Sequence, residues 1–540
     1  MYLIRPIVAN LGDGELEHIV AGFNGEILAD RSAQLESVLE EDLQTRPSAE
    51  AQVRFIDLVG RDAQRDAVVA TLATVSDTMA AEPLGLAVLA CYALAFGGTG
   101  EGRAPFLQIL TGLNFETMRK PGTEEIRFEP DSMSSAIASF TLGTERDQNV
   151  RWRFRQFIAW SRSDEGRAHP QYVDLDAEIM AVFGMDYDSL IAASWLIDCQ
   201  LDPTMMAKRG SAIFRYADLT PKGGIGRLRL MLERFTIDLS DLQALVKDAE
   251  ITSLREVIFL KLLQTPVVRL DADRFLVPSS RLFKNTNSLG WLYALVDVRQ
   301  KNDKKESQRL LNYLGAIFEQ YAASLLSRIA SNAGATFWNE IQMDGWKTTD
   351  AMTLRNGALS LYEVVSSRLS AGLLLNPNDL VQIEKDLERT LFEKVDQLAK
   401  NVKRVLDGDL TGQGIDLEKI SAIYPVVFQY RSFLRTDDLQ ARINERFQLV
   451  LGRQDERVRP IEIVDAELME CLEGHLSNSL DISDLVEEKV GRSAEMRSAT
   501  FKNFVTSCHP EIELRLPAAV TEQDRHWMED IVRVAHTWTS

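Results

Sequence analysis

Two acidic residues on either side of a tight-turn sequence are the clearest candidates for chemistry in this chain. Asp350 stands in KTTDAMTL and Glu363 in LYEVVSSRLS, with RNG at 355–357 between them. Asn-Gly between two apolar runs predicts a β-hairpin, because both residues tolerate positive φ. The two carboxylates would then be cross-strand neighbours, and Val365 would share the face of Glu363. Grouped carboxylates of this kind offer the oxygen ligands that a hard cation prefers.

The patterning around this hairpin predicts the elements that position it. A helix, LNYLGAIFEQYAASLLSRIASNAG, ends at Gly334 and is followed by a strand, ATFWNEIQ. After the hairpin come a long amphipathic helix, NPNDLVQIEKDLERTLFEKVDQLAKNVKRVL, with Asn378 or Asp379 as its N-cap, and strands in AIYPVVFQYRSF and VRPIEIVD. The order α-β-β-β-α-β predicts an α/β core with helices on both faces of a small mixed sheet.

This order of elements, with acidic residues in three of them, resembles the PD-(D/E)xK phosphodiesterase superfamily. The matching residues are Glu319 in GAIFEQYAASLL, Asp350 and Glu363. The resemblance implies a restriction-endonuclease-like fold over about residues 308–465, in which the three carboxylates hold Mg²⁺ or Mn²⁺. It also implies hydrolysis of phosphodiester bonds, because a bound metal ion polarises the phosphate and supplies hydroxide near neutral pH.

One position departs from the motif of that superfamily. The lysine that normally follows the strand glutamate by two residues is Val365 here, and valine can neither orient water nor contact phosphate. Another cation would have to take this role, and the candidates are Lys347, Arg368, Lys394 and Lys400. Lys347 should face away from the site, whereas Lys394 and Gln397 lie one turn apart on the closing helix. The catalytic set that the resemblance implies is therefore Glu319, Asp350, Glu363, Lys394 and Gln397.

Two functions remain open at this stage. In the first, the chain is a Mg²⁺-dependent endonuclease acting on nucleic acid, DNA rather than RNA. Similarity of VRPIEIVDAELMECLEG to the tails of large bacterial proteins with this core implies antiphage defence. In the second, the chain is a catalytically degenerate nuclease scaffold that binds or assembles with a partner protein. If the resemblance does not hold, the alternative interpretation is that Asp350 and Glu363 are solvated carboxylates on exposed strand faces and that Glu319 is a surface residue of a helix.

Composition and charge limit the classes of function. The chain has 540 residues, of which 45% are hydrophobic and 26% charged, which is typical of a globular protein with several domains. A net charge of −20 excludes a general polyanion binder, so contact with nucleic acid needs a local basic patch, a metal or a partner. Four separated cysteines and no visible secretory signal indicate a reducing cytoplasm. The uncharged run at 83–100 is too short to span a bilayer and predicts a buried helix.

Changes in composition along the chain predict four regions. Residues 1–250 are predicted to be mainly helical, 251–300 a helix and hairpin connector, 301–470 the nuclease-like core and 471–540 a helical or α+β tail. RWRFRQFIAWSR, at 151–162, interleaves arginine with aromatic residues. That pattern fits a nucleic-acid stacking surface or, in our preferred interpretation, a helix packed on a core. Two glycine-rich segments lack a P-loop, so no nucleotide cofactor is expected.

Overall fold

Helices form most of the structure and surround two mixed β-sheets and one small hairpin. The computed structural model describes residues 150–219, 225–249, 254–284, 289–366, 380–430, 437–473, 481–493, 500–509 and 518–537, with isolated positions 26, 29–30, 32–34, 90–91, 93–95, 286, 475, 497 and 512. The mixed α/β class predicted from the sequence is therefore confirmed, with the helices in the majority.

The described region before Asp303 is mainly helical, with four short strands. Its helices are α1 Val150–Arg162, α2 Asp164–Ala168, α3 Leu175–Phe183, α4 Tyr187–Gln200, α5 Pro203–Arg209, α6 Tyr216–Leu219, α7 Ile225–Phe235, α8 Leu239–Asp248, α9 Leu254–Gln264, α10 Ser280–Lys284 and α11 Leu289–Asn302. Its strands are β1 Phe214–Arg215, β2 Thr236–Asp238, β3 Val267–Arg269 and β4 Arg274–Leu276. The predicted hairpin, β3–β4, forms, and it lies in a sheet of order β1-β4-β3-β2. The predicted connector therefore shares a sheet with the helical region.

The elements from Lys304 onward follow the predicted order α-β-β-β-α-β. They are α12 Lys304–Ala333, β5 Thr336–Asn339, β6 Gln342–Met343, β7 Trp346–Lys347, β8 Ala351–Arg355, β9 Ala358–Val365, α13 Leu380–Leu387, a π-helical turn Glu388–Phe392, α14 Glu393–Asp407, 3-10 turns Thr411–Gln413 and Leu417–Lys419, β10 Ala422–Gln429, α15 Asp437–Leu451, β11 Glu462–Asp465 and α16 Ala466–Glu473. The last described helices are α17 Ile482–Gly491, α18 Phe501–Cys508 and α19 Ala518–Thr537. The small β6–β7 hairpin and the π turn were not predicted.

The main sheet has five strands in the order β11-β10-β9-β8-β5. β5, β8 and β9 form an antiparallel meander, and β10 lies parallel to both β9 and β11. The predicted Asn-Gly turn joins β8 to β9, with φ of 50° at Asn356 and 84° at Gly357. β10 is buried along its whole length, which explains its continuous apolar sequence, because a central parallel strand is covered on both faces.

Two groups of helices cover the two faces of the main sheet. On the first face, Tyr362, Val364 and Phe428 belong to an apolar cluster that includes residues of α1, α12 and α16. On the second face, Leu361, Val365 and Val427 pack with residues of α13, α14 and α15. Alternation along β9 therefore places Glu363 on the second face, beneath the helix that was predicted to close the core.

The predicted start of the core falls at a helix break, where Asp303 caps α12 through its side chain. The apolar cluster of the first face nevertheless continues across this break. Phe154 of α1 lies 5.5 Å from Trp291 and 6.4 Å from Tyr430, measured between ring centroids. The final helix also returns to the earlier region, where Trp527 and Tyr187 stack at 6.4 Å. The limits of the four regions remain predictions.

Within the described ranges no single helix is long and apolar enough to cross a bilayer, although α3 and α4 pass together as a pair bent by 49°. Residues 90–91 and 93–95, the described part of the apolar run, are helical and buried as predicted. The remainder of that run and the predicted N-cap at Asn378 or Asp379 lie outside the described residues.

Candidate functional site

The β8–β9 hairpin brings two of the predicted acids together. The register that pairs Ala351 with Tyr362 places Asp350 opposite Glu363, as the turn sequence predicted. Asp350 lies immediately before β8 rather than within it, and its Oδ2 accepts a hydrogen bond of 2.7 Å from the N–H of Val364. The backbone of β9 therefore fixes the Asp350 carboxylate beside Glu363.

Glu363 is a buried carboxylate and not a solvated one. Only 3% of the residue is exposed, and it lies between Leu361 and Val365 on the second face of the sheet. The Asn401 carboxamide of α14 lies against it. In one orientation the Asn401 Nδ2 donates to Glu363 Oε1 over 3.3 Å. In the other orientation the amide bonds the backbone carbonyl of Lys347 and the N–H of Thr349, over 3.3 and 3.2 Å.

Lys394 supplies the cation between the two acids. Its Nζ lies 3.2 Å from Glu363 Oε2 and 3.5 Å from Asp350 Oδ2. It stands at the second position of α14, directly after the π turn. Gln397 is exposed and lies one turn further along the same helix. The structure thus places Lys394 at the acids, in contact with both.

Burial and mutual repulsion shift the protonation of this group. Burial, and then the charge of Asp350, raises the pKa of Glu363 to about 8. Burial alone would lower the pKa of Lys394, but the carboxylates of Asp350 and Glu363 outweigh it and raise that pKa. The two pKa shifts are consistent with each other. Two carboxylates stabilise the charged form of Lys394, whereas the negative charge of Asp350 opposes ionisation of Glu363. Lys394 therefore keeps its positive charge, and Glu363 binds its proton more tightly than an ordinary glutamate does.

Glu319 lies near this pair but does not join it closely. It is exposed on α12, one turn after Gly315. Gly315 packs close to the end of β9, because a Cβ added to it would lie 3.2 Å from Oγ of Ser366, the residue after β9. Loss of solvation from the surrounding protein, and then the charge of Asp350, raises the pKa of Glu319. Among the described residues no three His, Cys, Asp or Glu side chains lie close enough together to hold a metal ion. The described arrangement is a pair of acids around Lys394, with Glu319 as a charged neighbour.

The other described candidate cations, Lys347 and Lys400, form no ion pair with Asp350 or Glu363, although the charge of Lys347 lowers the pKa of Glu363. Lys347 in β7 donates to Glu340 over 2.5 Å, and Lys400 is exposed on α14. Arg368 lies outside the described residues. The side-chain contacts with the acid pair come instead from Lys394, which makes two ion pairs, and from the Asn401 amide.

The arginine–aromatic segment is a packed helix, as we preferred. It forms α1, in which Arg153 and Phe154 are fully buried. The Arg153 guanidinium forms an ion pair with Glu470, with Nε 2.6 Å from Oε1. The buried members of this segment therefore offer no stacking surface to a nucleic acid.

Sequence reasoning missed two buried polar residues, one against Glu363 and one on the neighbouring strand. Asn401 could have been found, because it lies two turns after Lys394 on one side of α14. Gln429 had no local signal, since it ends an apolar strand. It is 1% exposed, it pairs with Val365 in the β9–β10 register, and both its amide atoms lack a hydrogen-bond partner within the described part of the chain.

The site is therefore a half-buried cluster of two carboxylates, one ammonium and one amide at the end of β9. Such a cluster can bind a cation, hold a proton on Glu363 and attract an anionic group to Lys394. Comparison of the chain with family models, with curated proteins and with solved structures finds no match in any of the three.

Proposed function

We propose that residues 304–465 form a restriction-endonuclease-like core that hydrolyses phosphodiester bonds in nucleic acid, DNA rather than RNA, with Mg²⁺ or Mn²⁺. The observation that carries the proposal is the Lys394 ammonium between the Asp350 and Glu363 carboxylates. The antiparallel meander followed by a parallel strand supports it, because the resemblance implies this arrangement. A bacterial cytoplasmic role in antiphage defence belongs to the same proposal and rests on the resemblance alone.

The residues present fit a hard divalent cation in their donor chemistry. The Asp350 and Glu363 carboxylates offer the oxygen ligands that Mg²⁺ prefers, and they share Lys394 as their ion-pair partner. Asp350 and Glu363 would hold the metal ion, with Glu319 close enough to add its charge. When bound, the metal ion would polarise the phosphate and activate water. Lys394 would orient the anionic substrate, and Gln397 offers a further amide donor one turn away.

Substitution of the two acids tests this function. We expect Asp350→Asn and Glu363→Gln each to reduce Mg²⁺- or Mn²⁺-dependent cleavage of single- and double-stranded DNA by more than about 100-fold. Even the loss of a residue behind a metal ligand typically reduces activity roughly 10- to 100-fold. Glu393→Gln is the matched control, because Glu393 is an exposed acid adjacent to Lys394. Cleavage by Asp350→Asn at the wild-type rate would exclude catalysis by this site.

Protonation of Glu363 gives the same site a pH signature. Mg²⁺ and a proton compete for this carboxyl group, whose pKa is raised to about 8. We expect the Mg²⁺ affinity measured by calorimetry to rise with pH, by up to about tenfold per unit, and to level off above pH 8. Glu363→Gln should flatten that profile. A pH-independent affinity in the wild type would contradict metal binding at Glu363.

The second function, a catalytically degenerate scaffold for a partner protein, has its own supporting observation. Val365 occupies the motif lysine position as a core residue, and Lys394 already neutralises the acid pair. Calorimetry separates the two functions. A scaffold binds no Mg²⁺ at micromolar concentration, whereas the enzyme does and loses this binding in Glu363→Ala.

A further inference from the structure

The exposed side of α14 carries a cluster of basic residues close to the carboxylate site. We define the basic face as Lys400, Lys403 and Arg404, of which the two lysines are exposed and the arginine is half-buried. With 3.6 residues per turn, the three positions fall within an arc of about 100°. They therefore point in one general direction, away from the buried second face of the sheet.

The acids around this face are already neutralised by other residues. Asp396 forms an ion pair with Arg446, with Oδ1 2.7 Å from Nε. Asp407 forms one with Arg453, with Oδ1 2.9 Å from Nη1. Glu393, at the far end of α14, is the remaining acid of the helix, which has four cations and three acids in all. The helix itself thus carries one net positive charge, although the formal net charge of the chain is −20.

Contacts connect the basic face to the carboxylate site. The Arg404 guanidinium lies 4.0 Å above the ring of Trp346 and donates to Asn401 Oδ1 over 3.4 Å. Asn401 in turn lies against Glu363. Lys394 and Arg404 are ten residues apart on α14, or about 15 Å along its axis. A continuous polar path therefore runs from the acid pair to the β6–β7 hairpin.

We propose that the basic face binds the phosphate backbone of a nucleic-acid strand and leads that strand to the carboxylate site. The positive charge suits this partner, because Lys and Arg side chains bind a nucleic-acid strand by neutralising its phosphates. Trp346 holds Arg404 in place through its ring. This inference rests on the proposed nuclease function, because leading a strand to the carboxylate site matters only if that site cleaves it. Binding to the basic face is measured separately from cleavage.

Fluorescence anisotropy with labelled single-stranded and duplex DNA in EDTA tests the proposal without metal or cleavage. We expect Lys400→Gln/Lys403→Gln/Arg404→Gln to weaken binding roughly tenfold or more at moderate salt. The slope of log affinity against log salt should fall by about 2 to 3, since each lost phosphate contact removes nearly one unit. Lys400→Gln/Lys403→Gln, which keeps the Arg404–Trp346 contact, should lose about 2 units.

The matched control removes the same charge from another exposed surface. Lys208→Gln/Lys304→Gln/Lys305→Gln should bind as the wild type does, and thermal unfolding should show that all variants fold. Absence of binding by the wild type in EDTA, or equal loss in the control, would overturn the proposal. Binding without cleavage in Mg²⁺ supports the basic face and removes the nuclease function. Cleavage with an unchanged KM in the triple basic-face variant would support the nuclease function and contradict binding at the basic face.

Discussion

At the scale of single residues, the cation of the acid pair comes from a helix and not from the strand. Val365, where the superfamily motif has lysine, is 3% exposed and packs with the apolar residues of the second face. Lys394 approaches from α14 and contacts both Asp350 and Glu363. A lysine at position 365 would therefore place a charge in an apolar cluster, although Lys394 already supplies a cation to the acid pair.

Restoring the motif lysine should damage the protein. We expect Val365→Lys to lower the free energy of unfolding by about 3–5 kcal/mol, because it places an unpaired charge in an apolar environment. Urea denaturation measures the change. Val381→Lys is the control, since Val381 is 65% exposed on α13 and should change stability by less than about 0.5 kcal/mol. A stable Val365→Lys protein with raised cleavage would show that the strand position still works.

The acid pair was predictable from sequence and its cation was only a candidate. The Asn-Gly turn fixes the β8–β9 register, and this register alone puts Asp350 opposite Glu363. The reach of Lys394 depends on how α14 packs on the sheet, which no local pattern encodes. Gln429 gave no signal at all, because a polar residue at a strand end usually faces water.

At the scale of elements, the β8–β9 turn sets the geometry of the site. Gly357 has φ of 84°, and a Cβ there would lie 2.9 Å from both the Lys419 carbonyl oxygen and Ser421 Oγ. Two separate constraints, backbone conformation and space, therefore require glycine. The turn also packs against the segment that leads into β10, so it links three strands of the main sheet.

Substitution of this glycine should destabilise the sheet beyond the effect of backbone strain. We expect Gly357→Ala to lower the free energy of unfolding by about 2–4 kcal/mol, from positive φ and from overpacking together. Gly345→Ala isolates the strain, because Gly345 has φ of 79° and no atom within 4 Å of an added Cβ. The control should lose only about 1–2 kcal/mol. Equal losses in thermal unfolding would remove the steric argument.

The elements of the core were largely predictable because their signals are local. Gly334 ends α12 in the left-handed conformation, and β-branched runs form β10 and β11. The π turn at Glu388–Phe392 was missed, since the sequence there contains no proline or glycine and continues the helical pattern. The short β6–β7 hairpin was missed because each strand has only two residues.

At the scale of the whole molecule, a buried ion pair joins regions that the sequence assigns separately. Arg153 of α1 and Glu470 of α16 are fully buried, and the Tyr321 hydroxyl donates to Glu470 Oε1 over 2.6 Å. The Arg153 guanidinium also lies 5.1 Å from the Tyr430 ring centroid. The helical region and the core are thus connected by an ion pair in which loss of either member leaves the other charge buried without its partner.

Loss of this arginine should destabilise both regions together. We expect Arg153→Met to lower the free energy of unfolding by about 3–5 kcal/mol, because Glu470 would keep a buried charge without its ion-pair partner. Calorimetry should still give one transition. Arg162→Met is the control, as its ion pair with Asp176 is exposed and contributes about 0–1 kcal/mol. Two separated transitions in Arg153→Met would indicate that the regions unfold independently.

The π turn before Lys394 sets the direction in which that side chain points. A π turn holds one residue more than the α-helical turn it replaces. Everything downstream is rotated by about 100° relative to an uninterrupted helix. A codon gained or lost in this stretch would carry the ammonium of Lys394 away from its acids without altering any residue that touches them.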